Sequence, residues 1–153
     1  MTNRSSPVSE IMHPPRATVR PDDAVEAAMK ALVEADADAA PVVDENGNVV
    51  GMLSNSDLIV REGRLHYPTV LSILGASIEL GHKRFERELT DALSATVADV
   101  MTSPAVRCNS SDSIEDVATL MHDNDVGQIP VVDGDRLIGM VARNDLLRAL
   151  LNE

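Results

Sequence analysis

The chain has 153 residues, 44% of them apolar, and a formal charge of −12. That length allows one ordinary core or two small halves packed together. The acidity argues against a nucleic-acid surface and against a polybasic membrane patch.

In chain order, residues 1–7 have no apolar run behind them, so no signal peptide is expected. Residues 16–20 read as a short extended piece. Asp23-x-x-Glu26 places an acid three residues before a glutamate, which predicts a helix capped by Asp23. Val25, Ala28, Met29 and Leu32 then recur at helical spacing. Pro41-Val42-Val43 turns through Asp44-Glu45-Asn46-Gly47 into residues 49–53, a β-hairpin pattern. Leu58 and Ile59 open a second helix. Residues 63–96 suggest two helices, one on Val70, Leu71, Leu74 and Ile78 and one on Phe85, Leu89, Ala92 and Leu93. Leu80-Gly81-His82 breaks them, and Tyr67 and Phe85 are the only aromatics.

From residue 97 the opening pattern returns. Residues 105–108 are extended, and Asp112-x-x-Glu115 repeats the cap signal. Ile114, Val117, Ala118 and Met121 repeat the apolar face. Pro130-Val131-Val132 turns through Asp133-Gly134-Asp135 into residues 137–141. Leu146, Leu147, Leu150 and Leu151 form the last helix. Residues 8–44 match residues 97–133 at a constant offset of 89, with ten of 37 pairs identical. Average composition would give about two or three by chance, so the chain is an internal repeat. The offset falls to 88 after the second, shorter turn, where Gly51/Gly139, Met52/Met140, Asp57/Asp145 and Leu58/Leu146 coincide. Each copy reads β-α-β-β-α.

Each copy ends on a seven-residue stretch. Gly51-Met52-Leu53-Ser54-Asn55-Ser56-Asp57 is the first, and Gly139-Met140-Val141-Ala142-Arg143-Asn144-Asp145 is the second. Each lies where a strand becomes a helix, so backbone N–H groups and a positive helix end can meet an anion there. Asp57 and Asp145 have the chemistry to accept two hydrogen bonds each from sugar hydroxyls. The same residues also fit a purely local role, because Ser54-x-x-Asp57 is a capping-box pattern. Ala142 cannot cap through its side chain, yet Asp145 is still present.

The repeat, the Pro-Val-Val-Asp hairpins and the strand-to-helix endings resemble a free-standing pair of CBS domains, the family named for cystathionine β-synthase. The resemblance covers residues 8–62 (repeat 1) and 97–152 (repeat 2), with residues 63–96 as a helical insert. It implies an α+β fold of two β-α-β-β-α units related by pseudo-twofold symmetry, with two clefts between them. It further implies adenosine ligands in those clefts and a regulatory role without catalysis. Carried over residue by residue, the first cleft would use Ser54, Ser56 and Asp57 with Met101, Pro104, Val106, Val126, Gly127 and Gln128. The second would use Ala142, Arg143, Asn144 and Asp145 with Met12, Pro15, Ala17, Ala37, Asp38 and Ala39. The second lacks the hydroxyl of Ser54 at Ala142, and brings Asp38 where Gln128 is neutral. The first cleft is therefore the expected ligand site, although Arg143 favours phosphate in the second. Arg16, Arg20 and Arg107 are further cations for a phosphate.

No other chemistry stands out. His13, His66, His82 and His122 lack ligand spacing, so no metal site is expected. No phosphate loop or dinucleotide turn is present. Cys108 is the single cysteine, which excludes an intrachain disulfide and fits a reducing interior. No apolar run approaches the roughly 20 residues that cross a bilayer. The expectation is a cytoplasmic homodimer that is not an enzyme and requires no cofactor. It would bind AMP, ADP, ATP or a related adenosyl compound and pass occupancy to a regulated partner. The alternative is a dimerisation scaffold with degenerate, empty clefts.

Overall fold

The computed structural model describes residues 2–60 and 95–152. The helices expected over residues 69–93 lie outside the described residues. Within them, helix α1 (Val25–Glu34) leads to the hairpin β1 (Ala39–Val43) and β2 (Val49–Ser54), then to α2 (Asn55–Val60). The second copy has a short helix α3 (Val97–Val100), β3 (Cys108–Asn109), α4 (Ile114–Asn124), β4 (Gln128–Asp133), β5 (Arg136–Ala142) and α5 (Arg143–Leu151). A 3₁₀ turn over Val8–Glu10 takes the place of α3 in the first copy.

The two sheets correspond strand by strand. β4 lies between β5, antiparallel, and β3, parallel, with Cys108 opposite Val131. In the first copy β3 shrinks to one residue, Val19, bridged in parallel to Val42. Both hairpins carry an irregularity at the same place, Val42/Val43 and Val131/Val132. Gly47 (φ 82°) and Gly134 (φ 65°) take the left-handed turn positions. In the longer first turn, the Asp44 side chain accepts from the N–H groups of Asn46 and Asn48, both at 2.9 Å.

The expected helix caps are shifted by one residue. Ser113 caps α4, its hydroxyl accepting from Asp116 N at 3.1 Å, and Ala24 occupies the N-cap of α1 without a side-chain bond. Asp23 and Asp112 instead accept from the N–H of Arg20 and Asn109, both at 2.9 Å, and tighten the turn before each helix. In α5 it is Leu146 and Ala149 that are buried, whereas Leu147 and Leu151 are exposed. The leucine run thus supplies more apolar surface than the core takes up.

The two copies exchange their leading segments. Val97 and Val100 are buried with Val25, Leu32, Val42 and Leu53 of the first copy. Val8 is buried with Ile114, Val117, Ile129 and Val141 of the second. Backbone bonds tie the exchange, Val97 N to Asp23 O (2.9 Å) on one side and Val8 N to Asp112 O (2.8 Å) on the other. Residues 8–62 and 97–152 therefore do not each own a complete core. Burying a valine contributes about 1.5–3 kcal/mol, so each leading segment ties the two copies into one unit.

The next residues continue the exchange. Met52 and Thr102 bond through both backbone N–H groups at 2.9 Å, and His13 and Met140 pair likewise at 2.9 and 2.7 Å. The sulfurs of Met101 and Met12 lie over Gly51 and Gly139. A Cβ on either glycine would meet sulfur at 2.7 Å or 2.8 Å respectively. These glycines open each motif because the opposite copy's methionine occupies the space of a side chain.

Candidate functional site: a two-sided cleft between the repeats

Both motif loops open into one continuous cleft of about 950 Å³. Pro15, Ala37, Ala39, Pro41, Met52, Val106, Val126 and Met140 give it apolar walls. The polar lining comes from the motif ends Ser54–Asp57 and Ala142–Asp145, with His13, Arg16, Asp36, Asp38, Thr102, Asp125, Gln128 and Arg148.

The grouping of residues differs from the sequence expectation, because each hairpin fixes its own neighbours. Ala39 pairs with Ser54 and Gln128 with Ala142. Asn55 N donates to Asp38 O at 3.0 Å, and Arg143 N to Gly127 O at 3.1 Å. Ala37, Asp38 and Ala39 therefore adjoin the Asp57 motif, while Val126, Gly127 and Gln128 adjoin the Asp145 motif. The register also makes Ala39 the counterpart of Gln128, and Asp38 that of Gly127. The acidic departure thus falls in the Asp57 half, not the Asp145 half. Met12, Met101, Pro104 and Ala17 stay out of the cleft lining. The two methionines cover the glycines, and Ala17 packs against the first core.

In the Asp57 half, a reciprocal capping box holds the carboxylate. Ser54 N and Ser54 Oγ donate to Asp57 Oδ2 at 3.0 and 3.1 Å, and Asp57 N donates back to Ser54 Oγ at 3.3 Å. Thr102 Oγ1, from the other copy, donates to Asp57 Oδ1 at 2.9 Å. Asn55 Nδ2 reaches Asp38 Oδ1 at 3.4 Å, and Arg16 Nη1 donates to Asp36 O at 2.9 Å. Three carboxylates, Asp36, Asp38 and Asp57, thus face one guanidinium.

The Asp145 half is built on the same plan with different side chains. Ala142 N donates to Asp145 Oδ2 at 2.8 Å, and His13 Nε2 lies 3.1 Å from the same oxygen. His13 is the positional counterpart of Thr102. Its Nδ1 lies 2.8 Å from Pro14 O, so both ring nitrogens face acceptors and both bonds form together when the ring is protonated. Arg143 Nη2 lies 3.5 Å from Asp125 Oδ1, an exposed pair that contributes little to stability. Arg148, farther along α5, adds a second guanidinium to the lining. Here two carboxylates face two guanidinium groups and an imidazole.

Sequence reasoning did not place His13 and Thr102 in the site. They occupy matching positions at the constant offset, directly after Met12 and Met101, but differ in kind. Cys108 is buried away from the cleft in the second core, its thiol pushed up to about 12 by burial and by the nearby Asp112 carboxylate. Among the described residues no group of three His, Cys, Asp or Glu side chains is arranged to hold a metal, and no helix is long and apolar enough to cross a membrane.

A family model described as the CBS domain matches residues 8–62 and 97–152. The chain is 34% identical over 121 residues to protein MJ1426 of Methanocaldococcus jannaschii, covering 73% of this chain and 72% of that one. Its fold is similar to the CBS domain of a CBS-domain-containing membrane protein from Sphaerobacter thermophilus. The TM-score is 0.74 at 34% identity, over 98% of this chain and 91% of the other. It is also similar to CBSX2 of Arabidopsis thaliana, in a crystal structure described as a complex with AMP. There the TM-score is 0.72 at 26% identity, over 96% of this chain and 97% of the other.

Proposed function

The chain belongs to the CBS-domain family, and we propose that it is a regulatory module that binds an adenine nucleotide in the cleft between its two repeats. The observation that carries this reading is the pair Asp57 and Asp145. Each carboxylate stands at a strand-to-helix junction in the wall of one cleft whose lining combines apolar and polar side chains. A carboxylate has about four acceptor sites; both contacts of Asp145, from Ala142 N and His13 Nε2, fall on Oδ2, so Oδ1 faces the ribose hydroxyls, whereas Asp57 already accepts from Ser54 N, Ser54 Oγ and Thr102 Oγ1. The base would lie between Val106, Val126, Ala37, Ala39, Met52 and Met140. The AMP complex of CBSX2 supports the ligand class.

The regrouped charges change the expected order of the two halves. Among the described residues of the lining, Asp36 and Asp38 lie beside the Asp57 motif with Arg16 as the one guanidinium, while Arg143 and Arg148 lie beside Asp145 with Asp125 as the one further carboxylate. A phosphate is accordingly better placed in the Asp145 half. The reading assigns no reaction to the cleft. Occupancy acts by favouring whichever arrangement of the repeats binds the ligand more tightly, and a regulated partner reads that arrangement. A homodimer fits the exposed Val33, Leu147 and Leu151, and a lone thiol, Cys108, fits the cytoplasm.

One observation favours the alternative of an interaction scaffold. Both oxygens of Asp57 already have partners, in Ser54 and Thr102, so that residue has a structural role without any ligand. The two readings separate in calorimetric titrations of the purified chain with AMP, ADP and ATP. The nucleotide reading predicts binding that Asp145→Ala weakens about tenfold or more, while the variant still unfolds in one cooperative transition before ligand is added. No heat with any of the three would leave the scaffold.

A further inference from the structure

The pseudo-twofold axis relates Asp38 to Gly127 and Asn55 to Arg143. Where the Asp57 half presents a carboxylate with an amide against it, the Asp145 half has a glycine with a guanidinium alongside. The Arg143 guanidinium carbon and Nε both lie 4.0 Å from where a Cβ on Gly127 would stand. Gly127 has no side chain to obstruct it. On the other side, Asn55 Nδ2 donates to Asp38 Oδ1 at 3.4 Å, a long bond from a neutral amide that leaves the charge in place. Arg16 lines the same half and donates to the Asp36 carbonyl, so among the described residues one cation stands there against the three carboxylates Asp36, Asp38 and Asp57.

Building on the nucleotide reading, we propose that the two halves take adenosyl ligands of different charge. The Asp145 half takes a nucleotide with phosphate, held at Arg143. The Asp57 half takes a nucleoside-like ligand with no negative charge, because a phosphate there would face Asp38. Each half has a motif carboxylate in the cleft wall, and the charge difference between the halves bears on the group carried by the 5′ carbon. Rejection of phosphate by a surplus of carboxylates is specificity through repulsion. One ligand of each kind would then occupy the cleft at once.

The test is calorimetry of the full chain with AMP and with adenosine, on wild type, Asp38→Asn and Arg143→Gln. Wild type is expected to bind one AMP, and to bind adenosine with AMP already present. Arg143→Gln should weaken AMP about tenfold or more while changing adenosine less than about threefold. Asp38→Asn should raise the AMP stoichiometry towards two. Two equal AMP sites in wild type, or an AMP affinity indifferent to Arg143→Gln, would overturn the division of labour and leave the nucleotide reading standing. Binding of neither AMP nor adenosine would overturn both.

Discussion

Replacing Gly51 or Gly139 by alanine tests the exchange of segments that builds the cleft. At Gly51 the new Cβ would stand 2.7 Å from Met101 Sδ, 3.2 Å from Met101 Cγ and 2.9 Å from Thr102 O. The thioether can swing away, but the carbonyl is held by its 2.9 Å bond from Met52 N. At Gly139 the three near atoms all belong to the Met12 side chain, at 2.8, 3.1 and 3.3 Å. Overpacking costs about 1–3 kcal/mol, and losing glycine's freedom in the unfolded chain returns about 0.4–1 kcal/mol. Gly51→Ala should therefore destabilise by about 2 kcal/mol and Gly139→Ala by about 1 kcal/mol or less. For a chain of this size the first shift is about 4–8 °C in melting temperature. Thermal and urea unfolding followed by circular dichroism measure both. Adding Met101→Ala to Gly51→Ala should recover only part of the loss, because the Thr102 carbonyl stays in place. A Gly51→Ala protein as stable as wild type, or one less affected than Gly139→Ala, would refute the reasoning.

Three further outcomes follow from the same geometry. Val97→Ala should cost about 1.5–2.5 kcal/mol and lower the stability of the whole chain in one urea transition, since Val97 completes the core of the other repeat. Asp57→Ala should lower the melting temperature more than Asp145→Ala, because Asp57 accepts from Ser54 N, Ser54 Oγ and Thr102 Oγ1. The lost cap is worth about 1 kcal/mol. Cys108, 2% exposed and with its thiol pushed up to about 12, should resist thiol reagents at pH 8 until the protein unfolds. The raised value also sets a direction. The unfolded thiol, at its ordinary 9.0, releases its proton first, so this contribution to stability is present below about pH 9 and is lost as pH climbs towards 12.

Periodicity and repetition made much of the architecture legible. The α1 face Val25, Ala28, Met29 and Leu32 is buried as its spacing predicts, and both hairpins form where the turn residues place them. The offset change from 89 to 88 corresponds to the longer first turn, held by Asp44. Exchange of Val8 and Val97 between the cores was not legible, because a repeat shows that two units match and not which unit each segment packs against. The same limit explains the misgrouped cleft. Antiparallel register ties Ala39 to Ser54 and Gln128 to Ala142 within one hairpin, whereas the family resemblance alone distributed them across repeats. His13 was hidden for a different reason. Its counterpart is Thr102, and only the placement of both beside the motif carboxylates shows that they share a position.

The most direct measurement is a crystal structure of the chain grown with AMP. The account predicts AMP in the inter-repeat cleft, its ribose hydroxyls on the Asp145 carboxylate and its phosphate within reach of Arg143. AMP bound outside this cleft, or a cleft left empty at saturating AMP, would contradict it.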